Sequence, residues 1–411
     1  MISLPDTATL LPQVHTADNG SNLYLFPSTS TELVKLDLIH EAGSAYQPQR
    51  LCAATANRLF TVASEKMSAA EVAEFMDYRG IILEHNPDTL TATTTVYFLR
   101  RYVDELLPVL ADLLHRPSFP QEDLDVFLRK RKQELQASRL KTSDEARRMY
   151  YRALFGEEHP LGQFAVPNDA DRLTRDMLLR FYQERYTRMD IVLAGNVDQE
   201  VIERVSGLSG ESQIAKISAL SRPVSTPTGL HSVTIPGAVQ TTLRVGRVLP
   251  LRWDDPDYAA FMLLTTLLGG YFGSRLMSNL REDKGYTYGI SARTQIYRGL
   301  VVFFITTDVA AGAAEAAEEE IRRELQRLCD EPVGEEKLQL VKTVMAGDFI
   351  RSIDGIFERS ERFCSMLSTG VDERLTDNLR QALSSVTAAD LHAVARRLLA
   401  PDAMIYCRAG A

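Results

Sequence analysis

Two stretches of sequence decide the fold: LTRDMLLRFYQERYTRMDIVLAGNV at residues 173–197 and VTAADLHAVARRLLAPDAMIYCRAGA at residues 386–411. Each begins with a threonine before an amphipathic helix, continues through a basic turn into an apolar strand, and then reaches a glycine. Threonine is a preferred N-cap residue, and a short apolar run bounded by turn residues is typical of a buried strand. The same order found twice in one chain predicts a duplicated α/β unit.

The rest of the chain repeats in the same way. A strand-like stretch at 32–40 matches one at 241–249, and an alternating strand with an amphipathic helix after it occurs at 89–114 and again at 300–328. Between the halves, the sequence is rich in Ser, Pro and Gly. We therefore predict an α+β protein with two homologous domains, each an antiparallel sheet covered by helices on one face, at residues 1–213 and 240–411, joined by a linker at 214–239.

Composition limits the possible functions. The chain has 411 residues, which suits two domains, and 45% hydrophobic with 25% charged residues is typical of a soluble globular protein. The formal net charge of −9 argues against nucleic-acid binding, which requires a basic surface. The four cysteines form no CxxC pair, and neither a signal peptide nor a membrane helix is recognisable. We therefore expect reduced thiols, no membrane association and a cytoplasmic location.

The most distinctive segment is GGYFGSRLMSNLREDKGYTYGISA at residues 269–292. An apolar helix ends at the glycine pair Gly269 and Gly270, and Ser274 is placed to cap a second helix. A turn containing Gly285 then leads into a strand at 288–296. Since GxGxxG and GxxxxGK spacings are missing, the glycines do not predict a phosphate-binding loop.

This segment resembles the second-half signature of the pitrilysin and insulinase family, the zinc peptidases with an inverted HxxEH motif. The resemblance implies that Arg281 and Tyr288, at the family spacing, bind the substrate backbone near the scissile bond. A guanidinium can donate to peptide carbonyls, and a phenol can donate to a developing oxyanion. A purely structural interpretation stays open, in which Arg281 pairs with a nearby carboxylate and Tyr288 is a half-buried strand aromatic.

The zinc motif of that family is degenerate here. Alignment on the segment SEKMSAAEVAEFMDYRG, residues 64–80, places the two metal-binding histidine positions at Ala54 and Arg58 and the general base at Asn57. None of these three side chains can perform its role: one has no donor atom, one is a cation and one is an amide. Glu134 occupies the position of the third ligand, but a lone carboxylate does not hold zinc. We expect no metal in this chain.

The resemblance then implies a zinc-free, substrate-binding subunit of a heterodimeric metallopeptidase, forming half of a clamshell around a peptide or unfolded polypeptide. The partner would carry HxxEH and supply both zinc and the general base. Alone, the chain would show no activity and could homodimerise. One alternative is a structural or peptide-binding protein of the same fold without proteolysis. Another is an independent enzyme of a different class, which lacks a recognisable nucleophile or metal cluster in the sequence.

Overall fold

The computed structural model describes residues 4–17, 22–208, 219–223 and 227–411. Two sheets organise the chain. The first contains β1 to β6: Gln13–Thr16, Asn22–Pro27, Leu33–His40, Ile82–Pro87, Ala92–Leu99 and Met189–Gly195. The second contains β7 to β11: Gly229–Thr234, Gln240–Val248, Thr287–Tyr297, Leu300–Ala310 and Ile405–Gly410.

The two sheets have the same topology, which supports the predicted duplication. The first sheet has the order β1-β2-β6-β3-β5-β4, and the second has the order β7-β11-β8-β10-β9. In each sheet one parallel pair (β2 with β6, and β7 with β11) precedes a run of antiparallel pairs. Apart from the extra edge strand β1, every strand of one sheet has its counterpart in the other. The predicted α+β class is confirmed.

Helices α1 to α13 connect the strands: Cys52–Leu59, Ala69–Arg79, Val103–His115, Gln121–Ser138, Thr142–Phe155, Arg175–Arg185, Gln199–Ser206, Pro256–Gly269, Ala314–Asp330, Glu335–Arg351, Ile356–Thr369, Arg374–Ser385 and Ala388–Leu398. Most of them cover one face of the sheet in their own half and form its main hydrophobic core. A π-helix, Met277–Asp283, lies between α8 and β9. Within the described ranges, no helix is long and apolar enough to cross a bilayer.

Two helices cross from one half to the other. Helix α5 of the first half packs on β8 and β11, while helix α11 of the second half packs on β2, β3 and β6. Each therefore covers the face of the other half's sheet that the main core leaves open. Phe363 on α11 lies between Tyr24 and Phe26, with ring centroids 4.8 and 5.9 Å away. Tyr150 on α5 is fully buried, and its hydroxyl donates to the carbonyl of Phe303, 2.6 Å away.

A buried ion pair also holds α11 in place. Lys35 and Asp37 on β3 are both buried, and Nζ of Lys35 lies 2.9 Å from Oδ2 of Asp37. The Lys35 ammonium donates to Ser360 on α11, and the Cys364 thiol of the same helix donates to Asp37. A third donor to Asp37, the Thr95 hydroxyl on β5, satisfies the other carboxylate oxygen at 2.6 Å. Because these charges are paired and hydrogen-bonded, removing one partner would leave a buried charge uncompensated.

The structure differs from the predicted boundaries in the segment between the halves. Part of the predicted linker, 214–239, lies outside the described residues, but Gly229–Thr234 forms β7 of the second sheet. All six residues of β7 are exposed, so the strand has no alternation of apolar and polar positions by which to be recognised. The crossing of α5 and α11 also means that the division at residue 213 separates two stretches of sequence but not two independent cores.

We predict that the two halves unfold together because each supplies a helix to the other. Phe363→Ala should lower the stability of the whole chain by about 3 kcal/mol, the usual cost of removing a buried ring, while leaving one calorimetric transition. Leu340→Ala on α10, where the side chain is exposed, is the control and should change stability by less than about 0.5 kcal/mol. Two separate transitions, of which only one shifts, would contradict this prediction.

Candidate functional site

The loop after α8 depends on glycine for its close approach to the sheet. A Cβ atom on Gly269 would come within 2.5 Å of the backbone nitrogen of Ala292 on β9, and one on Gly270 within 2.6 Å of the Cα of Thr266. Gly285 has a φ of +65°, in the left-handed region that a side chain disfavours. A side chain at Gly269 would push α8 away from β9, one at Gly270 would clash with Thr266 on α8, and one at Gly285 would strain the final turn.

Buried side-chain hydrogen bonds attach the π-helix between these glycines to α9. The amide nitrogen of Asn279 donates to carboxylate oxygens of Glu320 and Glu324, both at 3.0 Å. These two carboxylates are buried and also pair with Arg323 and Arg327. Short π-helical segments are costly and occur often at functional sites. The predicted side-chain cap at Ser274 is not formed, since its hydroxyl is buried without a hydrogen-bond partner among the described residues.

Arg281 lies on this π-helix with its charge available. The guanidinium carbon is 4.6 Å from the ring centroid of Phe272, which holds the cation by a cation–π contact. Within the part of the chain that the structure describes, no carboxylate lies within ion-pair distance of Arg281. The neighbouring Glu282 and Asp283 therefore do not neutralise it, which removes one basis of the purely structural interpretation.

Tyr288 lies at the beginning of β9, the edge strand of the second sheet. Its side chain is 92% exposed, and Phe272 beside Arg281 is 61% exposed. A structural strand aromatic would bury its ring, so the half-buried alternative does not apply to Tyr288. A half-buried cation stacked on an exposed aromatic ring, followed seven residues later by a second exposed aromatic side chain, is typical of a surface that contacts another molecule.

The degenerate zinc motif lies on α1 and does not fit a metal. Asn57, at the position of the general base, is fully buried and its amide nitrogen donates to the Thr94 hydroxyl on β5 at 3.2 Å. Ala54 offers no donor atom. The side chain of Arg58 is exposed, and its guanidinium contacts His85 on β4. Nothing in the sequence indicates that these two residues are neighbours.

The contact between Arg58 and His85 fixes the state of the imidazole. The Arg58 guanidinium can only donate, and one of its nitrogens lies 3.0 Å from Nδ1 of His85, so Nδ1 is the acceptor. Nε2 therefore carries the proton and donates to the Thr61 hydroxyl, 2.8 Å away. Burial of the ring, together with the Arg58 cation, lowers the pKa of His85 to about 4. Both ring nitrogens are occupied by protein partners, so this histidine does not offer a metal ligand.

Glu134, at the third-ligand position, is on α4 and pairs with Arg131 at 3.0 Å. Its side chain is about half exposed to solvent. Across the described ranges, no group of three or more His, Cys, Asp or Glu side chains is arranged to hold a metal ion. The family's zinc is therefore not supported by the residues that occupy its positions in this chain.

Sequence reasoning missed Phe272 and His85. Phe272 lies within the quoted loop, and an aromatic between two glycines could have been noticed as a candidate surface residue. No sequence signal links His85 to Arg58, because they come from a strand and a helix that only the folded sheet brings together.

Comparisons with known sequences agree with these observations. The chain is 23% identical over 352 residues to an uncharacterized zinc protease of Streptomyces coelicolor, covering 82% of this chain and 75% of that one. It is 22% identical to an uncharacterized zinc protease of Bacillus subtilis, covering 94% and 96%. A probable inactive metalloprotease of B. subtilis matches at 21% identity over 228 residues, 54% of this chain and 53% of that one.

Solved structures share the fold. A peptidase M16 inactive domain from Pseudomonas fluorescens superimposes with a TM-score of 0.84 at 20% identity, covering 97% of this chain and 98% of that one. A protease from Helicobacter pylori gives a TM-score of 0.85 at 16% identity, covering 98% and 100%. Residues 172–345 match the family described as peptidase M16 inactive domain. The resemblance to the inverted-HxxEH zinc peptidases is thus confirmed: residues 172–345 match the peptidase M16 inactive domain, and the rest of the chain shares its fold with solved M16 proteins.

Proposed function

We propose that this chain is the zinc-free, substrate-binding subunit of a heterodimeric metallopeptidase. It binds a peptide or unfolded polypeptide through Arg281 and Tyr288, and a partner subunit that bears HxxEH supplies zinc and the general base. The observation that carries the proposal is the 92% exposure of Tyr288, seven residues after an Arg281 that no described carboxylate neutralises. Because the rest of the chain leaves the Tyr288 side chain uncovered, this side chain is available to contact a substrate.

The rigid support of the pair favours binding over chance exposure. The π-helix is held by Asn279 against two buried carboxylates, and Gly269 lets the preceding helix contact β9 directly. Groups fixed in this way lose little conformational entropy when a ligand binds, which is how a preorganised site gains affinity. Arg281 can donate to backbone carbonyls of the peptide, and the Tyr288 hydroxyl can donate to an oxyanion that develops at the scissile carbonyl.

The proposal also states that this chain takes no zinc of its own. Arg58 places a cation at a former ligand position and is engaged with His85, while Asn57 is engaged with Thr94. The chemistry therefore has to come from a partner. The cytoplasmic location inferred from the sequence remains a prediction, as does homodimerisation of the isolated chain.

The phenol of Tyr288 should take part in the reaction itself. In a complex reconstituted from this chain and an HxxEH-bearing partner, Tyr288→Phe should lower kcat for a fluorogenic peptide by about 100-fold, the usual effect of losing one oxyanion donor. The matched control is Tyr78→Phe on α2, where the ring is 82% exposed; its kcat should equal that of the unmodified complex. Equal rates for both variants would exclude Tyr288 from the reaction, and peptide binding without hydrolysis would favour a non-proteolytic role.

The second prediction concerns the cation. Arg281→Ala should raise KM of the same complex by about tenfold or more, because a charge-assisted hydrogen bond to the peptide backbone is lost. Arg351→Ala on α10 serves as the control, since the Arg351 side chain is well exposed and pairs with Asp348 on the same helix. An unchanged KM for Arg281→Ala would show that this guanidinium does not hold substrate.

The contacts of His85 with Arg58 and Thr61, at the position of the family's metal site, should be visible in the titration of the His85 ring. The His85 ring should titrate near pH 4 when followed by NMR, and Arg58→Gln should move the midpoint upward by removing a nearby cation. Because the folded pKa of His85 lies below its ordinary value, its contribution to stability is complete above about pH 6.5 and is lost as the pH falls through 4. A midpoint near 6.5 in the unmodified chain would contradict the Arg58–His85–Thr61 arrangement.

A further inference from the structure

A second candidate site lies where the two halves meet, away from Arg281 and Tyr288. A cavity of about 330 Å³ opens between α5 of the first half and the face of the second sheet that α5 covers. Its lining includes Arg147 and Tyr151, one helical turn apart on α5, and Arg244 on β8. Gln295, on the far part of β9, also lines it and is seven residues along the strand from Tyr288, roughly 23 Å at the usual rise per residue.

Arg244 is a cation without an anion. Its guanidinium is stacked among aromatic rings, with its central carbon 4.0 Å from the ring centroid of Phe304, 5.2 Å from that of Tyr150 and 5.6 Å from that of Tyr151. In the part of the chain that the structure describes, it makes no ion pair or hydrogen bond, and its buried Nε has no acceptor. Burial of the side chain lowers the pKa of Arg244 despite the nearby tyrosines.

Arg147 brings a second cation to the same cavity. It stacks on Phe164, with its guanidinium carbon 5.7 Å from the ring centroid, and no described carboxylate lies within ion-pair distance of it. Its charge is close enough to Arg244 to act with burial in lowering the pKa of that guanidinium. Asp88 is the acidic residue in the cavity lining, and it pairs with neither arginine. With two cations and one carboxylate in the lining, the cavity carries a net positive charge.

The other residues that line the cavity favour a polar ligand. The side chains of Ser44, Thr89 and Gln163 add hydrogen-bonding groups around the two cations, while the aromatic rings hold the guanidinium groups in position. A guanidinium presents paired N–H donors that match the oxygens of a carboxylate or phosphate group. We propose that this cavity binds an oxoanion, a carboxylate or a phosphate group, between Arg147 and Arg244. The free carboxylate of a bound peptide and inorganic phosphate are two sources of that group.

The test is isothermal titration of the whole chain with three ligands: inorganic phosphate, a short peptide with a free C-terminal carboxylate, and the same peptide amidated. Phosphate, the free-acid peptide or both should bind, and the amidated peptide should bind more weakly than the acid. Arg147→Gln and Arg244→Gln should each raise the Kd of the oxoanion ligand by about tenfold or more, since each removes a charge-assisted contact.

The matched control is Arg247→Gln. Arg247 is on the same strand β8, is half-buried and also has a buried Nε without an acceptor, but it does not line the cavity. Its Kd should stay within about twofold of the unmodified chain. Arg147 is exposed, so Arg147→Gln tests the proposal even if melting curves show that Arg244→Gln does not fold.

The two proposed sites can be separated by the same experiment. In Arg281→Ala the difference between the free-acid and amidated peptides should persist, because it arises at Arg147 and Arg244. Binding that is identical in Arg147→Gln, Arg247→Gln and the unmodified chain would overturn the proposal, as would a lack of binding by both phosphate and the free-acid peptide at about 10 mM. Neither result would affect the role proposed for Arg281 and Tyr288.

Discussion

The structure depends on a constraint common to both sheets: each has two faces that bury apolar side chains, and the helices of one half cover only one of them. The second face is covered by a helix from the other half, α11 on the first sheet and α5 on the second. Phe363 and Tyr150 anchor these two contacts. Since burying such a ring contributes several kcal/mol, neither half has its complete core without the other.

The same exchange creates the places where another molecule can bind. Helix α5 carries Arg147 to the face of the second sheet where Arg244 lies, and the cavity between them exists only because α5 is there. Arg281 and Tyr288 have a different origin: they lie on a local segment that glycines and Asn279 hold against the sheet and α9. One site is therefore a product of how the halves interlock, and the other is a product of a single loop.

The zinc motif illustrates how a site is lost without loss of the fold. Asn57 and Arg58 remain on α1, but their side chains are used in local contacts with Thr94 and His85. These contacts give partners to the Asn57 amide nitrogen and to Nδ1 of His85, which ties the helix to β4 and β5. The loop that carries Arg281 and Tyr288 lies against the other sheet and depends on separate interactions. The positions of a metal site can thus be taken over by structural contacts while the rest of the fold is kept.

The sequence by itself determined the duplication, the main strands and the loop that carries Arg281 and Tyr288. The duplication and the strands follow from repeated local patterns of periodicity and turn residues, whereas the loop was recognised by its resemblance to a family signature. The tertiary structure alone decided that α5 and α11 exchange, because an apolar helix face does not specify which sheet it will cover. It also decided that exposed Gly229–Thr234 joins a sheet edge, that Arg58 meets His85, and that Arg147 meets Arg244. Each of these is a contact between segments distant in sequence, where the deciding energy belongs to packing rather than to any local pattern.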